Sequence, residues 1–543
     1  MMERIPSRAP LSRRAILSGG AGLLALPGRS TAARAAGGTL RVALSGDLAS
    51  IDPDWTTATQ TRYHAFLVYD TLFGVDAQNR PQPQMVELHE ESAGGTEHLF
   101  TLRPGLRFHD GQEVTSEDVV ASWRRWAQRD AAGQMINGFL DRLETVDARR
   151  FRLRLKEPFG GLIPALAKPS AMPLFIKPAR IAARPATEQI TDATGSGPFR
   201  YVPEERVAGV RSVYLRNADY QPRAEPASGI AGGKVARIER LEWIVLPDAV
   251  SAAAALRQGE IDLVEAPSLD LVPSLRRARG VKVDELKPFG TLGTLRLNHL
   301  NPPFDQPLAR QALHLLVNQR DMLDAVLGEA GGGRLCGALM GCETDPATSS
   351  EAGTELLFSP EPMEQRIRRA AAMMREAGYD NRPIVILQPT DQPIQGPASL
   401  VMADTMRRAG MAVDLQAMDW ASLVQRRVNR DPGPRGWHMF FNLGGSLLAA
   451  NPAYHIQMSA ACGNSWFGWP CDAEMERLRF AWVKETDPAR ARLLAEAIQR
   501  RGMEISVFIP YGIFPTPSAY REELTGIVRV PETMVFWNLS KMA

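Results

Sequence analysis

An α/β fold spread over two or three domains is predicted here by three observations. The chain has 543 residues, more than a single hydrophobic core usually serves. Residues 364–417 read as helix, strand, helix and strand in succession, the pattern of parallel strands joined by a covering helix. Residues 99–155 read instead as alternating strands around one helix, an α+β arrangement. Composition agrees with a soluble globular chain, at 44% hydrophobic and 23% charged residues. The formal net charge of +2 argues against a nucleic-acid partner, which needs a concentrated basic surface to displace counterions.

The elements follow in order. Thr39-Leu40-Arg41-Val42-Ala43-Leu44 alternates and stops at Ser45-Gly46-Asp47, a strand entering a loop. Residues 99–108 and Phe151-Arg152-Leu153-Arg154-Leu155 alternate as well. Between them a helix is expected over 116–128, with Thr115 and Asp118 at capping-box spacing. A strand at 241–246 precedes a helix that Asp248 caps and Gly259 closes, and a strand at 261–264 follows. Asp305 and Pro307 open a helix running to about Asn318. Next come helix 364–377 closed by Gly378, strand 384–387, helix 398–409 and strand 413–417. Right-handed crossovers bring the loops Gln388-Pro389-Thr390-Asp391-Gln392 and Met418-Asp419-Trp420 to one edge, where both are expected to line a cleft. Asp487 and Pro488 start a late helix that ends near Gly502.

Residues 1–36 read as an export signal rather than as part of the fold. Arg13-Arg14 forms a twin-arginine start, Leu17 to Leu26 is a short apolar stretch, and Ala33-Arg34-Ala35 offers small residues for cleavage. The apolar stretch is too short to span a bilayer. A periplasmic location is therefore expected, by a twin-arginine or a general secretory route. Four cysteines allow three pairings. Export favours the two local pairs, Cys336 with Cys342 and Cys462 with Cys471, over free thiols.

Catalytic and metal motifs are scarce. There is no G-x-S-x-G elbow and no H-E-x-x-H. Gly195-Ser196-Gly197 lacks the third glycine and the helix of a nucleotide site, so it reads as a turn. His109-Asp110 beside Gly111 reads as a structural turn. His438 and His455 are the remaining candidates for a nickel or haem ligand. No metal and no cofactor is called for. Trp420, Trp437, Trp466 and Trp469 could supply the flat apolar walls of a solute cleft; packing within a core accounts for them equally.

A series of short motifs carries a wider resemblance. Asp52-Pro53, Tyr69-Asp70-Thr71-Leu72, the run from Leu102 to Gly111 followed by Val114-Thr115-Ser116-Glu117-Asp118-Val119, Gly195-Ser196-Gly197-Pro198-Phe199, Arg216-Asn217-Ala218-Asp219-Tyr220, residues 255–262, Arg310-Gln311-Ala312-Leu313 and Glu376-Ala377-Gly378-Tyr379 occur in one order. In this order, from about Gly38 to Asn538, the chain resembles the family 5 extracellular solute-binding proteins of ABC importers, the dipeptide, oligopeptide and nickel-binding group.

That resemblance implies a bilobed periplasmic-binding-protein clamshell of type II, cluster C-like, with an extra inserted α+β domain. Lobe I would take 37–73, 195–288 and 502–543, the inserted domain 74–194, and lobe II 289–501. The implied function is a monomeric receptor, not an enzyme, that captures a peptide-like or amphipathic solute and delivers it to the ABC permease. A metallophore, nickel or haem receptor is the alternative within that class, and a periplasmic hydrolase or chaperone on the same scaffold the alternative outside it. Peptide binders of the family hold the solute's amino group with an aspartate four residues before a proline. Here that position, ahead of Asn451-Pro452, is Leu448, preceded by Leu447. The departure points to an N-blocked, amphipathic or non-peptide solute, with Asp391, Asp419, Asp47 or Arg426 as substitute charges. Asp47, Asp391, Gln392, Asp419 and Asn442 are the polar candidates for the cleft.

Overall fold

Three sheets organise the chain in the computed structural model, which describes residues 38–542 apart from 343, 346, 446–449, 453 and 454. The expected leader and Leu447-Leu448 lie outside the described residues. The first sheet has seven strands, in the order Phe199–Tyr201, Arg211–Arg216, Arg240–Ile244, Thr39–Ala43, Leu263–Val264, Pro517–Arg521 and Val281–Glu285. Thr39–Ala43 runs parallel to both of its neighbours, so the segment that opens the fold sits near the middle. The second sheet has five strands, in the order Val413–Met418, Ile384–Pro389, Met439–Gly445, Thr291–Leu297 and Ile509–Phe514. The third is antiparallel, in the order Val86–Glu91, Glu97–Leu102, Arg150–Leu155 and Leu140–Thr145.

Several elements form for the local reasons read above. Thr115 and Asp118 make the capping box that starts the helix Ser116–Trp126, with Asp118 Oδ2 accepting the Thr115 N–H at 2.7 Å. Asp248 caps Ala249–Gln258, and Gly259 closes that helix with a φ of 75°. Two segments differ from expectation. Residues 103–108 leave the ladder after Leu102 because Pro104 and Gly105, with a φ of 79°, turn the chain. Leu106 and Phe108 are buried all the same, which is why the stretch alternates in sequence. The helix that Pro307 opens has Gln306, not Asp305, as its cap residue and stops at Leu316. Asn318 then caps a second helix, Gln319–Leu327.

One continuous apolar core joins the seven-stranded and four-stranded sheets. It runs from Leu40 and Val42 through Phe66, Phe100 and Trp123 to Trp537. A separate core fills the helix-covered face of the five-stranded sheet. The chain passes between the seven-stranded and five-stranded sheets at two short segments, residues 286–290 and 515–516. The expected return at residue 502 falls inside the helix Pro488–Ile505; the change of sheet comes after Phe514.

Buried ion clusters account for two of the sequence motifs. Arg125 donates to Asp52 at 2.8 Å and to Asp54 at 3.1 Å, and Lys177 reaches Asp54 at 2.8 Å. All four side chains are shut off from solvent. Asp70, from Tyr69-Asp70-Thr71-Leu72, is buried against Lys234 at 2.7 Å and accepts the Tyr220 hydroxyl at 2.9 Å. Burial alone would raise the Asp70 carboxyl, but Lys234 outweighs it and holds the group below the usual carboxylate range.

Among the described residues no helix is long and apolar enough to cross a membrane. The structure pairs Cys336 with Cys342 and Cys462 with Cys471.

Candidate functional site

The two passages between sheets lie side by side, since the strands before and after them pair antiparallel. Glu285 sits opposite Pro517 in the seven-stranded sheet, and Thr291 opposite Phe514 in the five-stranded one. Two adjacent short connections are the arrangement of a hinge.

Lys287, inside the first connection, is tied to the seven-stranded half by Glu265 at 3.1 Å. Glu265 also accepts the Tyr63 hydroxyl at 2.8 Å and both the backbone N–H and the hydroxyl of Ser45. Burial by itself raises the Glu265 carboxyl, yet Lys287 and these donors hold it below its usual range. A carboxyl lowered by folding contributes stability at pH values above its unfolded pKa of about 4.3. That contribution fades as pH falls through the folded value. Glu265→Gln is therefore expected to destabilise the chain at pH 7 and to make progressively less difference below about pH 4. Urea unfolding of both proteins across that range checks the sign, and a gap that widened on acidification would contradict it.

Beyond the hinge the halves meet at Glu532 and Gly445. Glu532 accepts from the Ser170 hydroxyl at 2.5 Å, and its carbonyl takes the Arg62 guanidinium at 2.9 Å. Gly445 ends its strand so close to Glu532 that a Cβ there would lie 2.3 Å from the carboxylate. Asn79 donates across to the Thr344 carbonyl at 3.3 Å, and Lys484 pairs with Glu157 at 2.5 Å.

Between these contacts is a cavity of about 300 Å³, the lower end of the size range of small-molecule sites. One wall comes from Asn79, Lys168 and Ser170, the other from Asp345, Thr348 and Trp482. Lys168 is satisfied by Asp130. The opposite wall is different. The Thr348 hydroxyl and the Trp482 indole N–H are buried without a hydrogen-bond partner among the described residues. Asp345 has no ion pair among them, its carboxylate taking the Ala347 N–H at 2.8 Å, and burial pushes it above the usual carboxylate range. Unpaired polar groups buried together are costly unless something else engages them. A donor, a hydroxyl and an anionic acceptor on one wall can hold a polar or cationic group. Outside the Lys484–Glu157 pair the interface widens into a groove of about 420 Å³, bordered by Met135, Phe139 and Phe480.

The residues singled out from sequence are spread differently. Asp47 is engaged by Arg206 at 3.2 Å and the Gly209 N–H at 2.9 Å. Asp419 caps Trp420–Arg426, accepting the Ser422 N–H, and Asp391 accepts the Trp420 N–H, each at 2.9 Å. Gln392 is half-buried in the same loop. Asn442 is buried in its strand, where its carbonyl accepts the Tyr511 hydroxyl. Trp437, Trp469, Trp420 and Trp466 share one apolar cluster with Leu387, Leu423 and Phe440, apart from the larger core of that half. Trp437 is wholly buried, its indole N–H on the Asn429 carbonyl. None of these four tryptophans borders the 300 Å³ cavity.

His438 is held by the Val385 N–H and the Pro302 carbonyl. His455 packs on Phe508, and among the described residues neither joins a three-ligand cluster. His109 accepts the Gly195 N–H and bonds the Gly197 carbonyl, pinning the turn; burial lowers its pKa to about 4.

Sequence reasoning did not single out Asp345, Thr348 or Trp482. Asp345 and Thr348 lie in a Gly-, Thr- and Ser-rich loop with no periodicity, and Trp482 lies in the helix Ala473–Lys484, which the sequence reading did not anticipate. The one available signal was the Asp472 N-cap, whose carboxylate accepts the Met475 N–H at 2.8 Å.

Comparison with known proteins agrees with this architecture. The family model for bacterial extracellular solute-binding proteins, family 5 Middle, matches residues 80–459. The probable peptide ABC transporter periplasmic-binding protein y4tO of Sinorhizobium fredii (strain NBRC 101917 / NGR234) is 36% identical over 541 residues, covering 98% of this chain and 99% of that one. Among solved structures, the ABC transporter substrate binding protein CtaP from Listeria monocytogenes superposes with a TM-score of 0.78 at 18% identity, over 93% of this chain and 100% of its own. NikA from Brucella suis, in complex with Fe(III)-EDTA, gives 0.76 at 19% identity with the same coverage. The two-sheet clamshell and the match over most of the sequence lead to one conclusion: this chain belongs to the family 5 bacterial extracellular solute-binding proteins of ABC importers.

Proposed function

We infer that the chain is a periplasmic receptor whose solute carries a cationic group and is held in the cavity between Lys168–Ser170 and Asp345–Thr348. The observation carrying this reading is the Asp345 carboxylate, half-buried in a cavity shared by both halves and lacking an ion pair among the described residues. A solute ammonium or guanidinium would supply the missing charge, with Thr348 and Trp482 supplying hydrogen bonds. Asp345 thereby replaces the amine anchor whose aligned position is Leu448, and a short peptide or an amine-bearing, peptide-like solute fits the volume.

In this reading the leader in residues 1–36 takes the chain to the periplasm, where it works as a monomer. Residues 38–285 and 517–542 form one lobe, with 74–194 inserted, and 291–514 form the other. They rotate about 286–290 and 515–516. Contacts to both walls favour the closed state, and the solute passes unaltered to the transmembrane subunits of the importer. The relative y4tO is named as a peptide ABC transporter protein, which supports a peptide-like cargo.

Native mass spectrometry of the purified chain identifies the retained solute, and calorimetry then measures its binding. Asp345→Asn is expected to weaken binding about ten- to hundred-fold, the size of a lost hydrogen bond to a charged group. Asp380→Asn, on the exposed surface, serves as the control. Affinity within two-fold of wild type in Asp345→Asn, or chemical turnover of the solute, overturns the reading.

A further inference from the structure

We propose that His89, Glu91 and His98 form a binding site for a divalent transition-metal ion of the zinc type, on the four-stranded sheet and separate from the solute cavity. The pairing of Val86–Glu91 with Glu97–Leu102 places Glu91 directly opposite His98 and His89 opposite Phe100. His89 and Glu91, two residues apart, share a strand face. The three side chains thus converge at the end of one hairpin, and their ligand atoms all lie within 4.8 Å of one another.

The histidine pair has the geometry a metal requires. His89 Nε2 and His98 Nδ1 are 3.1 Å apart. Two ligands of a tetrahedral zinc at about 2.05 Å each are separated by about 3.3 Å, so an ion could enter between these nitrogens with little ring movement. Both rings are already oriented: His89 stacks on Phe100 at 4.6 Å and lies near-parallel to His98 at 5.3 Å, with interplanar angles of 10° and 14°, and His98 is in turn 6.3 Å from Phe100. His98 is buried, and its Nε2 has no hydrogen-bond partner among the described residues.

The carboxylate completes the set. Glu91 is exposed and can swing the remaining distance. Its Oε1 occupies space beside Gly95, where a Cβ would come within 3.2 Å of it. The turn is braced by the Ser92 hydroxyl on the Glu97 N–H at 3.0 Å. Two imidazoles and one carboxylate make an acceptor set that suits zinc, nickel or copper better than magnesium or calcium, and three protein ligands leave a fourth position for water. The hairpin tip abuts the other half of the molecule, since a Cβ on Gly95 would lie 3.8 Å from Thr486. A bound ion would therefore stiffen the turn at that contact.

The test uses the full chain without an affinity tag, dialysed against micromolar zinc and assayed by elemental analysis and calorimetry, with cobalt(II) absorption reporting the coordination. The expected result is one zinc per chain in the wild type, lost in His89→Gln and bound at least ten-fold more weakly in Glu91→Gln, with magnesium not retained. Glu91 is exposed, so its variant keeps the fold and the comparison stands on it if His89→Gln proves unstable. A wild type that binds no zinc, or either folded variant binding zinc at wild-type affinity, overturns the site.

Discussion

Replacing Arg125 with methionine is expected to lower the stability of the chain by about 3–5 kcal/mol, the size seen when one partner of a buried ion pair is removed. The guanidinium serves five acceptors. It binds Asp52 and Asp54, and the carbonyls of Arg184, Pro185 and Glu188 at 3.0, 2.9 and 2.7 Å. Methionine fills much of the volume but leaves Asp52 buried without its cation and takes the donor from the Arg184 and Glu188 carbonyls, while the Pro185 carbonyl keeps the Glu188 N–H at 2.9 Å. Lys177 remains for Asp54 alone. Arg125→Lys is expected to recover only part of the loss, because an ammonium cannot reproduce a planar fork of five donors. Urea unfolding followed by circular dichroism measures both changes. A loss below about 1 kcal/mol for methionine would show that the cluster contributes specificity rather than stability.

The second large effect is steric. Gly195 packs flush against the C-terminal end of the helix Thr59–Val68. A Cβ on it would lie 1.9 Å from the Val68 carbonyl oxygen and 2.8 Å from the Tyr69 ring, and one on Gly197 would lie 2.4 Å from the Leu67 carbonyl oxygen. Backbone cannot be displaced there cheaply, because Gly197 N–H donates to Val68 at 2.8 Å and His109 N–H to Gly195 at 2.7 Å. Gly195→Ala is therefore expected to destabilise by about 3 kcal/mol or more, at the upper end of overpacking costs. Gly209→Ala is the contrast. No atom stands within 4 Å of its Cβ position, and only its φ of 71° opposes the change; a cost of about 1 kcal/mol is expected there. Equal losses at both positions would remove the steric explanation for Gly195-Ser196-Gly197.

These two cases show how much of the molecule was open to reading from its residues. Asp52-Pro53 and Gly195-Ser196-Gly197 were recognisable as family signatures, yet nothing in them says what they do. One is half of an ion cluster closed by Arg125, and the other is a close approach to Val68. The capping box at Thr115 and Asp118, the helix from Asp248 to Gly259 and the strand-helix-strand run after Met363 were legible because their causes lie within a few residues. The sheet change after Phe514 was not, because a strand's sheet depends on its partner, here Thr291–Leu297, more than two hundred positions earlier.

The candidate site divides the same way. Loop position pointed to Asp391 and Asp419, and both turn out to satisfy backbone donors at the start of Trp420–Arg426. Asp345 gave no signal, since what distinguishes it is a charge without an ion pair among the described residues, and that depends on every neighbour the fold brings near it.

Family membership and the local elements follow from residue order alone, since capping, turns and periodicity act over three to ten residues. The hinge, the buried pairings of Arg125 and Lys234, the Asp345 cavity and the His89–Glu91–His98 cluster came into view with the packed chain, because Coulomb energy, burial and steric contact depend on distance in space, which spacing along the chain does not report.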